Sequence, residues 1–368
     1  MLFQACFKGL AKFGNMSEKK REILWWGRFS ADYSRNVVLR EAMADSGFRI
    51  SDYRPICSGL GDVEAYLRSV KTPDAVWVGC FRQRDIAAAV RWARRKGIPV
   101  VFDPLISHYD KVVNEFQKFP RDSSSAKRLL DLERRLFEMA DIVVADTVKH
   151  AEYYHEILCV PKRKIKIVYV GADSHFKASE KARASGELLE VLFYGSFLPL
   201  QGAGIIVEAA RQTVGHRIRW TLIGAGPEKS RCMAEAKGLD NIVFRDPVHY
   251  KTLPSVIADH DVLLGVFGAT EKATRVMPNK FFQAIASGKP IVTMNSDAYP
   301  QSVFGSHAIK FIPPCDPRAL ADAVLEWNAD RLSLAVSASE ARALYEREFG
   351  PYVIRSQIND VFQAILPD

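Results

Sequence analysis

The feature of this sequence that most limits its fold is the alternation of short apolar runs with helical patterns. The runs are rich in β-branched and aromatic residues and are continuous, which is typical of strands buried on both faces of a parallel sheet. In the first half they cover residues 22–27, 74–80, 98–104, 141–146 and 165–171. In the second half they cover residues 190–195, 218–224, 241–245, 261–267, 290–293 and 308–312. The sequence therefore predicts an α/β protein with two doubly wound sheets, one in each half.

The domain organisation follows from the length of 368 residues and from one change in composition. Between residues 173 and 190, Lys, Ser, Ala and Glu outnumber large apolar residues, which marks a boundary. We predict domains over residues 22–183 and 184–350, followed by a helix within 351–368. Residues 1–21 are predicted to be an extension, either an amphipathic helix at a membrane interface or a non-native segment, because Met16 resembles an ordinary start.

Composition excludes several classes of protein. Hydrophobic residues make up 48% and charged residues 26% of the chain, which excludes a disordered protein. No apolar run reaches the roughly 18 residues that a transmembrane helix needs. The six cysteines are scattered without metal-ligand spacing, so we expect reduced, buried thiols in a cytoplasmic protein.

The net charge of +8 is concentrated in the first half, where one predicted helix and its approach are strongly basic. The cluster consists of Arg82, Arg84, Arg91, Arg94, Arg95 and Lys96. Such a cluster favours contact with an anionic membrane surface, where each basic residue contributes about 1 kcal/mol. Ordinary solvation is the alternative. A nucleic-acid partner is disfavoured because no recognisable binding module or interleaved aromatic residues accompany the charge.

Ligands of open α/β sheets bind beyond the carboxyl ends of the strands, so the loops after strands are the places to look for a site. One loop of the second half has the small and polar residues Gly195, Ser196, Gln201 and Gly202 before a predicted helix. Its backbone amides and the helix dipole suit a phosphate. The next strand ends at Gly224 and Gly226, but a dinucleotide fingerprint would need a third glycine where Lys229 stands. A nicotinamide site is therefore disfavoured.

A later loop of the second half concentrates positive charge next to a helix start. It carries Lys272 and Arg275, and the helix begins near Pro278, Asn279 and Lys280. A helix N-terminus and three cations gathered at one point would suit a diphosphate.

These motifs resemble the retaining glycosyltransferases of the GT-B superfamily, specifically family 4, from about residue 22 onward. The resemblance is carried by YGSFLPLQG, LIGAGPE, PNKFFQAIASGKPIV and IKIVYVGAD. It implies a GT-B fold in which two Rossmann-like domains face a cleft. The C-terminal domain would bind a nucleotide-sugar donor and the N-terminal domain an acceptor, with the last helix crossing back to the first domain. The implied reaction transfers a sugar to a hydroxyl of a glycan or lipid-linked acceptor, in the cytoplasm or at the inner face of the membrane.

The sequence departs from the family pattern at four positions. The basic residues that the family carries in its phosphate loop correspond to Ser196 and Gln201, and its two glutamates correspond to Arg275 and Gln283. Because a diphosphate needs cationic partners, we expect the phosphate clamp to have moved to the later loop.

In this relocated clamp, Lys280, Arg275 and Lys272 would stabilise the departing diphosphate, and no metal or other cofactor would be required. Gln283 would hydrogen-bond a ribose hydroxyl, and Glu271 would take the role of the missing carboxylate toward a sugar hydroxyl.

In the first half, the resemblance points to residues that follow three strands. Gly27 and Arg28 correspond to a loop beside the donor diphosphate and acceptor. Asp103 stands where many family members have a catalytic histidine, with His108 a turn further as the second candidate. Asp146 and Thr147 match a loop on the acceptor side.

Two other functions stay open at this stage. One is a nucleotide-sugar epimerase of the same architecture, which needs no acceptor. The other is a catalytically silent relative that acts as a partner or scaffold, which the absent glutamates would explain. The acidic motif Asp259, His260 and Asp261 resembles a metal-binding pattern, but its place before a strand favours a helix–strand corner.

Overall fold

The computed structural model describes residues 20–178 and 188–366, and it contains two six-stranded sheets with every described strand pair parallel. The first sheet has the order β2-β1-β3-β4-β5-β6, with β1 Glu22–Trp26, β2 Arg49–Tyr53, β3 Ala75–Val78, β4 Val100–Phe102, β5 Ile142–Ala145 and β6 Ile165–Ile167. The second has the order β12-β11-β10-β7-β8-β9, with β7 Leu189–Ser196, β8 Ile218–Ala225, β9 Ile242–Arg245, β10 Val262–Leu264, β11 Ile291–Met294 and β12 Ile309–Ile312. The predicted fold class, two doubly wound parallel sheets, is confirmed.

Helices connect the strands and cover the sheets. In the first half they are α1 Ser34–Asp45, α2 Gly61–Leu67, α3 Ile86–Lys96, α4 Ser124–Glu138 and α5 Val148–Glu156, together with a π-helical turn over Asp110–Glu115. In the second half they are α6 Ala203–Gln212, α7 Lys229–Glu235, α8 Leu253–Ala258, α9 Asn279–Ala286, α10 Pro317–Ala329, α11 Arg331–Glu348 and α12 Pro351–Gln363. Residues 1–19 of the predicted extension at residues 1–21 and residues 179–187 of the predicted linker lie outside the described residues.

The sequence prediction missed β2, the edge strand of the first sheet. Three of its five residues are polar or charged, and only Tyr53 at its end is buried. An edge strand is covered less than a central one, so it lacks the continuous apolar run that identifies the other strands.

The last helix, α12, lies on the first sheet rather than on the second. Phe362 packs 6.0 Å from Trp77 and 4.4 Å from Phe48, between ring centroids. Ile354 and Ile358 are buried in the same cluster, which includes residues of β1 and α1. The chain therefore returns to the first domain after completing the second, and α12 ties the two together.

Two smaller predictions have different outcomes. The acidic motif lies at a helix–strand corner as expected, where His260 bonds the Val256 carbonyl and the Asp261 carboxylate accepts from the Glu190 amide. The five described cysteines are free, but Cys57, Cys159 and Cys315 are exposed, so the prediction of buried thiols is wrong for these three.

Among the described residues, no helix is long and apolar enough to cross a membrane.

Candidate functional site

The carboxyl ends of β7 and β8 are built from glycines that let two backbones approach closely. A Cβ at Gly224 would lie 1.9 Å from the Gly195 carbonyl oxygen, and one at Gly226 would lie 2.6 Å from the Phe197 nitrogen. At Gly202, which precedes α6, a Cβ would lie 2.9 Å from the Gly268 nitrogen. Packing therefore accounts for Gly202, Gly224 and Gly226, whereas Gly195 faces a side chain.

That side chain is Lys280, whose ammonium lies directly below the Gly195 backbone. A Cβ at Gly195 would be 3.2 Å from Lys280 Nζ, and the φ of +151° there suits only glycine. Lys280 Nζ donates to Gln201 Oε1 at 2.5 Å and to the Gly265 carbonyl at 3.3 Å, and it lies 3.9 Å from the centroid of the Phe193 ring. The structure thus joins Lys280 to the first phosphate loop, with Ser196 exposed beside it.

The electrostatics of Lys280 distinguish it from an ordinary lysine. Its side chain is only 5% exposed, and burial lowers the pKa of the ammonium well below its ordinary value. Its partners are neutral, and no carboxylate of residues 20–178 or 188–366 forms an ion pair with it. A buried cation held by neutral groups beneath a glycine loop is suited to receive an anion.

The structure differs from the expected clamp at the later loop, because Lys272 and Arg275 are paired with the first domain. Lys272 Nζ lies 2.5 Å from Glu115, and Arg275 Nη2 lies 2.6 Å from Asp110. Both carboxylates belong to the π-helical turn. The structure therefore does not gather the three cations at one point, because two of them tie the domains together.

Gln283 and Glu271, expected to bind the ribose and the sugar, also have partners within the protein. Gln283 is 2% exposed, its Oε1 accepts from the Tyr194 hydroxyl, and its Nε2 donates to the Tyr250 hydroxyl. Glu271 lies at the surface, 2.9 Å from Arg121. A ribose would have to displace the tyrosine hydroxyls from Gln283 in order to bind there.

The N-terminus of α9 also contacts the first domain. Burial raises the pKa of the Tyr33 hydroxyl to about 12, and the nearby Asn279 side chain opposes that shift. The preceding Pro278 is the extended residue before the helix, which leaves the first-turn amides facing out of the helix end. This end therefore lies at the junction of the two domains.

Asp103, the first catalytic candidate in the first domain, lies in a buried ion pair. Its two carboxylate oxygens accept from Arg35 Nε at 3.0 and 2.8 Å, and neither side chain is exposed. Burial raises the pKa of Asp103, and the Arg35 charge opposes that effect. In this geometry Asp103 orients Arg35, which also bonds the Val168 carbonyl.

The second candidate, His108, is exposed near basic residues. Burial of part of the ring and then the charge of Lys111 lower the pKa of its imidazole. Its backbone amide donates to Glu133, a buried carboxylate that also accepts from Ser107 and from the Tyr109 amide. His108 therefore begins a tightly bonded turn, and its ring is neutral at neutral pH.

The other first-domain candidates lie near the cleft in different ways. Gly27 has a φ of +123°, and a Cβ there would lie 3.2 Å from Asp85 Oδ2. Arg28 is exposed, and its carbonyl accepts from Arg82 Nη1 at 2.6 Å. These contacts fix the backbone of the loop and leave the Arg28 guanidinium at the surface.

Asp146 and Thr147 follow β5 and form a second contact between the domains. Asp146 bonds the His150 ring within the buried start of α5. Thr147 Oγ1 donates to the Arg275 carbonyl at 2.7 Å. Next to this contact, a polar groove of about 530 Å³ is lined by α5 and by the 295–297 loop, including Arg275 but not Lys280.

Metal ligands are scarce in the described structure: none of its His, Cys, Asp and Glu side chains group in threes around a metal position. The partners that sequence reasoning missed are Phe193 below Lys280, Arg35 beside Asp103, and the two carboxylates of the π-helical turn. Lys272 and Glu115 are separated by 157 positions, so only tertiary structure brings them together. Arg35 stands between Ser34 and Asn36 at a polar helix start, so no local signal in the sequence marks it as buried.

Two family descriptions match this chain, one in each domain. Residues 40–171 match a glycosyl transferase 4-like domain, and residues 189–330 match the glycosyl transferases group 1. Together the two segments cover more than half of the chain. Each segment lies within one of the two domains that contain the sheets described above.

The chain is also similar to individual proteins. WcaL of Escherichia coli K12, named for colanic acid biosynthesis, is 26% identical over 63% of this chain, which spans 59% of WcaL. TuaH of Bacillus subtilis 168, named for teichuronic acid biosynthesis, is 23% identical over 57% of this chain, which spans 54% of TuaH. The crystal structure of Anabaena HepE with UDP has a TM-score of 0.68 at 14% identity, covering 93% of this chain and all of HepE. The family matches and the shared two-domain architecture agree, and the chain belongs to the group 1 glycosyltransferases of the GT-B fold.

Proposed function

We propose that this protein is a retaining glycosyltransferase that moves a sugar from a nucleotide diphosphate sugar to a hydroxyl of a glycan or lipid-linked acceptor. The observation that carries the proposal is Lys280, a buried cation without a carboxylate partner in the described chain, below the glycine loop at the end of β7. The similarity to HepE, which binds UDP in its crystal structure, supports a nucleotide donor. The biosynthetic names of WcaL and TuaH support a role in making a cell-surface polysaccharide.

The chemistry that we assign to the site is stabilisation of a leaving group. As the bond between sugar and diphosphate breaks, negative charge grows on the diphosphate oxygens. Lys280, below the Gly195 backbone, is positioned to receive that charge in a place that burial makes poorly solvated. In this proposal these groups do what a metal does in other transferases, so neither a metal nor another cofactor is required.

Arg275 and Lys272 have a second role in this proposal. Both hold the two domains together through Asp110 and Glu115. In the proposal they stay paired when the donor binds, so they set the position of α9 while Lys280 meets the diphosphate. We assign Asp103 a positioning role through Arg35, and we assign His108 and the Gly27–Arg28 loop to the acceptor side.

The direct test is a product assay with UDP, GDP, ADP and dTDP sugars and a panel of polysaccharide acceptors. We expect one donor to be consumed, and we expect NMR to show that the new glycosidic bond keeps the anomeric configuration of the donor. Conversion of the donor without an acceptor would instead identify an epimerase. Neither transfer nor donor hydrolysis with any sugar nucleotide would contradict the proposal.

One observation favours a second candidate, a catalytically silent partner protein. Gln283 stands in place of a family glutamate, and both ends of its amide are occupied by Tyr194 and Tyr250. A silent protein would keep nucleotide affinity, if any, without turnover. Slow donor hydrolysis that Lys280→Met abolishes would exclude this candidate.

We also include in the proposal that the enzyme works in the cytoplasm, at the inner face of the cell membrane. The basic cluster around α3 supports this location, since acidic headgroups attract it.

A further inference from the structure

The first domain has a group of exposed apolar side chains on and just before α2. Their exposed fractions run from 49% to 77%. We call them the α2 patch: Ile56, Leu60, Val63, Tyr66 and Leu67. Elsewhere in the described chain, only Leu332 and Tyr352 among large apolar residues are more than 70% exposed, and they stand on separate helices. A group of this kind marks an interaction surface.

Positive charge surrounds the α2 patch. Residues 54–96 contain nine Lys and Arg and four Asp and Glu, a balance of +5 in a chain whose net charge is +8. Asp62 on α2 is buried and pairs with Arg91 at 2.7 Å and Arg95 at 3.4 Å on α3, which fixes the two helices side by side. Arg94 and Lys96 are exposed and make no ion pair within the described chain, so their charge is available to a partner.

We propose that the α2 patch and the basic end of α3 form a single docking surface for an anionic lipid bilayer. Apolar side chains of this size enter the boundary between headgroups and acyl chains, while neighbouring Lys and Arg side chains bind acidic headgroups. A protein partner would equally cover the apolar group. The charge favours the bilayer, because the pairs of Asp62 with Arg91 and Arg95 hold the basic helix α3 against the helix that carries the patch.

The docking surface is continuous with the rim of the cleft. The patch follows β2 at the carboxyl edge of the first sheet, and the Ile56 carbonyl accepts from Arg28 Nη1 at 3.5 Å. A bilayer at the patch would therefore lie beside the Gly27–Arg28 loop. A lipid-linked acceptor could then present its hydroxyl to the cleft without leaving the membrane. This last step rests on the proposed transfer to a lipid-linked acceptor, whereas bilayer binding does not.

The first experiment measures flotation of the full chain with vesicles of phosphatidylcholine alone or mixed with phosphatidylglycerol, with no donor present. We expect binding only to the anionic vesicles. Ile56→Ser with Leu67→Ser should weaken it at least tenfold, since both side chains lose apolar burial. Arg94→Gln with Lys96→Gln should weaken it about thirtyfold, which is the loss expected from about 1 kcal/mol for each charge. Leu332→Ser, and Lys237→Gln with Lys251→Gln, are the matched controls at exposed sites of the second domain and should bind as the parent does.

A native cysteine gives a second measurement that does not depend on a variant surface. Cys57 lies within the patch and is exposed and free, and Cys315 is exposed and free in the second domain. Two variants are made, of which one keeps Cys57 and the other keeps Cys315. In both, Cys6, Cys159 and the other member of this pair are replaced by serine. The cysteine that is kept is labelled with an environment-sensitive dye. We expect anionic vesicles to shift the emission at Cys57 to the blue and to leave that at Cys315 unchanged.

Three results would overturn the inference. They are equal binding by the Ile56→Ser and Leu67→Ser variant, no emission change at Cys57 under conditions of full binding, and loss of all binding when only residues 1–15 are deleted. Because no donor is present, these results are independent of the glycosyltransferase assay. An enzyme active on a soluble acceptor but unable to bind vesicles would contradict this inference and the proposed membrane location, and it would leave the proposed transfer reaction standing.

Discussion

The two domains each bury one cation at the start of a helix that follows a strand, and the two cations are treated differently. Arg35 is the second residue of α1, and Asp103 meets its guanidinium with both oxygens. Lys280 is the second residue of α9 and has only a side-chain amide, a carbonyl and a ring for partners. A neutralised buried charge serves the fold, whereas a buried charge left without a counter-ion costs stability and is available to a ligand. We infer that the first cation is structural and the second is functional.

Removing Arg35 should produce the largest loss of stability. Arg35→Met leaves Asp103 buried without its cation, and breaking such a pair costs about 3–5 kcal/mol of unfolding free energy. Urea denaturation measures this change. The matched control is Arg40→Met, which removes an exposed arginine from its ion pair with Asp52 and should cost about 1 kcal/mol or less. A small effect at Arg35 would break the comparison, because both cations would then be dispensable to the fold.

Gly195→Ala should weaken both donor binding and the fold. Its Cβ would lie 3.2 Å from Lys280 Nζ, between the ammonium and an incoming phosphate, at a φ of +151°. We expect a loss of about tenfold in donor affinity, in addition to a strain cost of about 1–3 kcal/mol. Gly215→Ala is the control, because Gly215 also has a positive φ but no neighbour within 4 Å of its Cβ. Titration calorimetry should show donor affinity lost in the first variant alone, and equal affinity in both would contradict the assignment.

The pH dependence of donor binding sharpens the comparison. Because burial lowers the pKa of Lys280, the free protein loses that proton at a lower pH than an ordinary lysine does. Donor affinity should therefore fall as pH rises through the lowered pKa, and binding in that range should take up a proton. Calorimetry in two buffers of different ionisation enthalpy measures the uptake. In Lys280→Met the uptake should disappear, and its persistence would assign it to another group.

The unfolding free energy of the unliganded protein should change with pH in the opposite direction to the donor affinity. A lysine with a lowered pKa binds its proton more readily when the chain is unfolded, so it opposes folding below that pKa. This cost disappears above the ordinary lysine pKa of about 10.4. The excess stability of Lys280→Met over the parent, measured by urea denaturation, should therefore shrink as pH approaches 10. A difference independent of pH would show that Lys280 keeps its ordinary lysine pKa in the folded chain.

The smallest effect is expected at the paired cations of the later loop. Lys272→Gln and Arg275→Gln remove charges that Glu115 and Asp110 already neutralise, so each should change donor affinity by about threefold or less. Titration calorimetry with the donor, as for the Gly195 variant, measures this change in affinity. A loss as large as that of a Lys280 variant would restore the clamp of three cations that the sequence predicts. The control is Arg318→Gln, in an exposed pair on α10.

The sequence predicted the fold well because continuous apolar strands and glycine-ended loops are local signals. It missed β2, whose mostly polar residues reflect an edge position. It also identified Lys280 and Gly195 as members of one site, from two separate motifs. It could not foresee that Lys272 and Arg275 would turn toward the π-helical turn, since this depends on how the domains meet. A charge count says how many cations a loop has, and only tertiary structure shows which of them already have partners.

The most direct test of the account is Lys280→Met, examined by titration with the preferred sugar nucleotide and by urea denaturation at neutral pH. We predict opposite changes: donor affinity falls at least tenfold, because a charge-assisted contact of about 1.5–3 kcal/mol is lost. The unfolding free energy rises, because a buried charge without a counter-ion is removed. Unchanged affinity together with lower stability would show that Lys280 holds the fold together, and the assignment of this site to a diphosphate would be wrong.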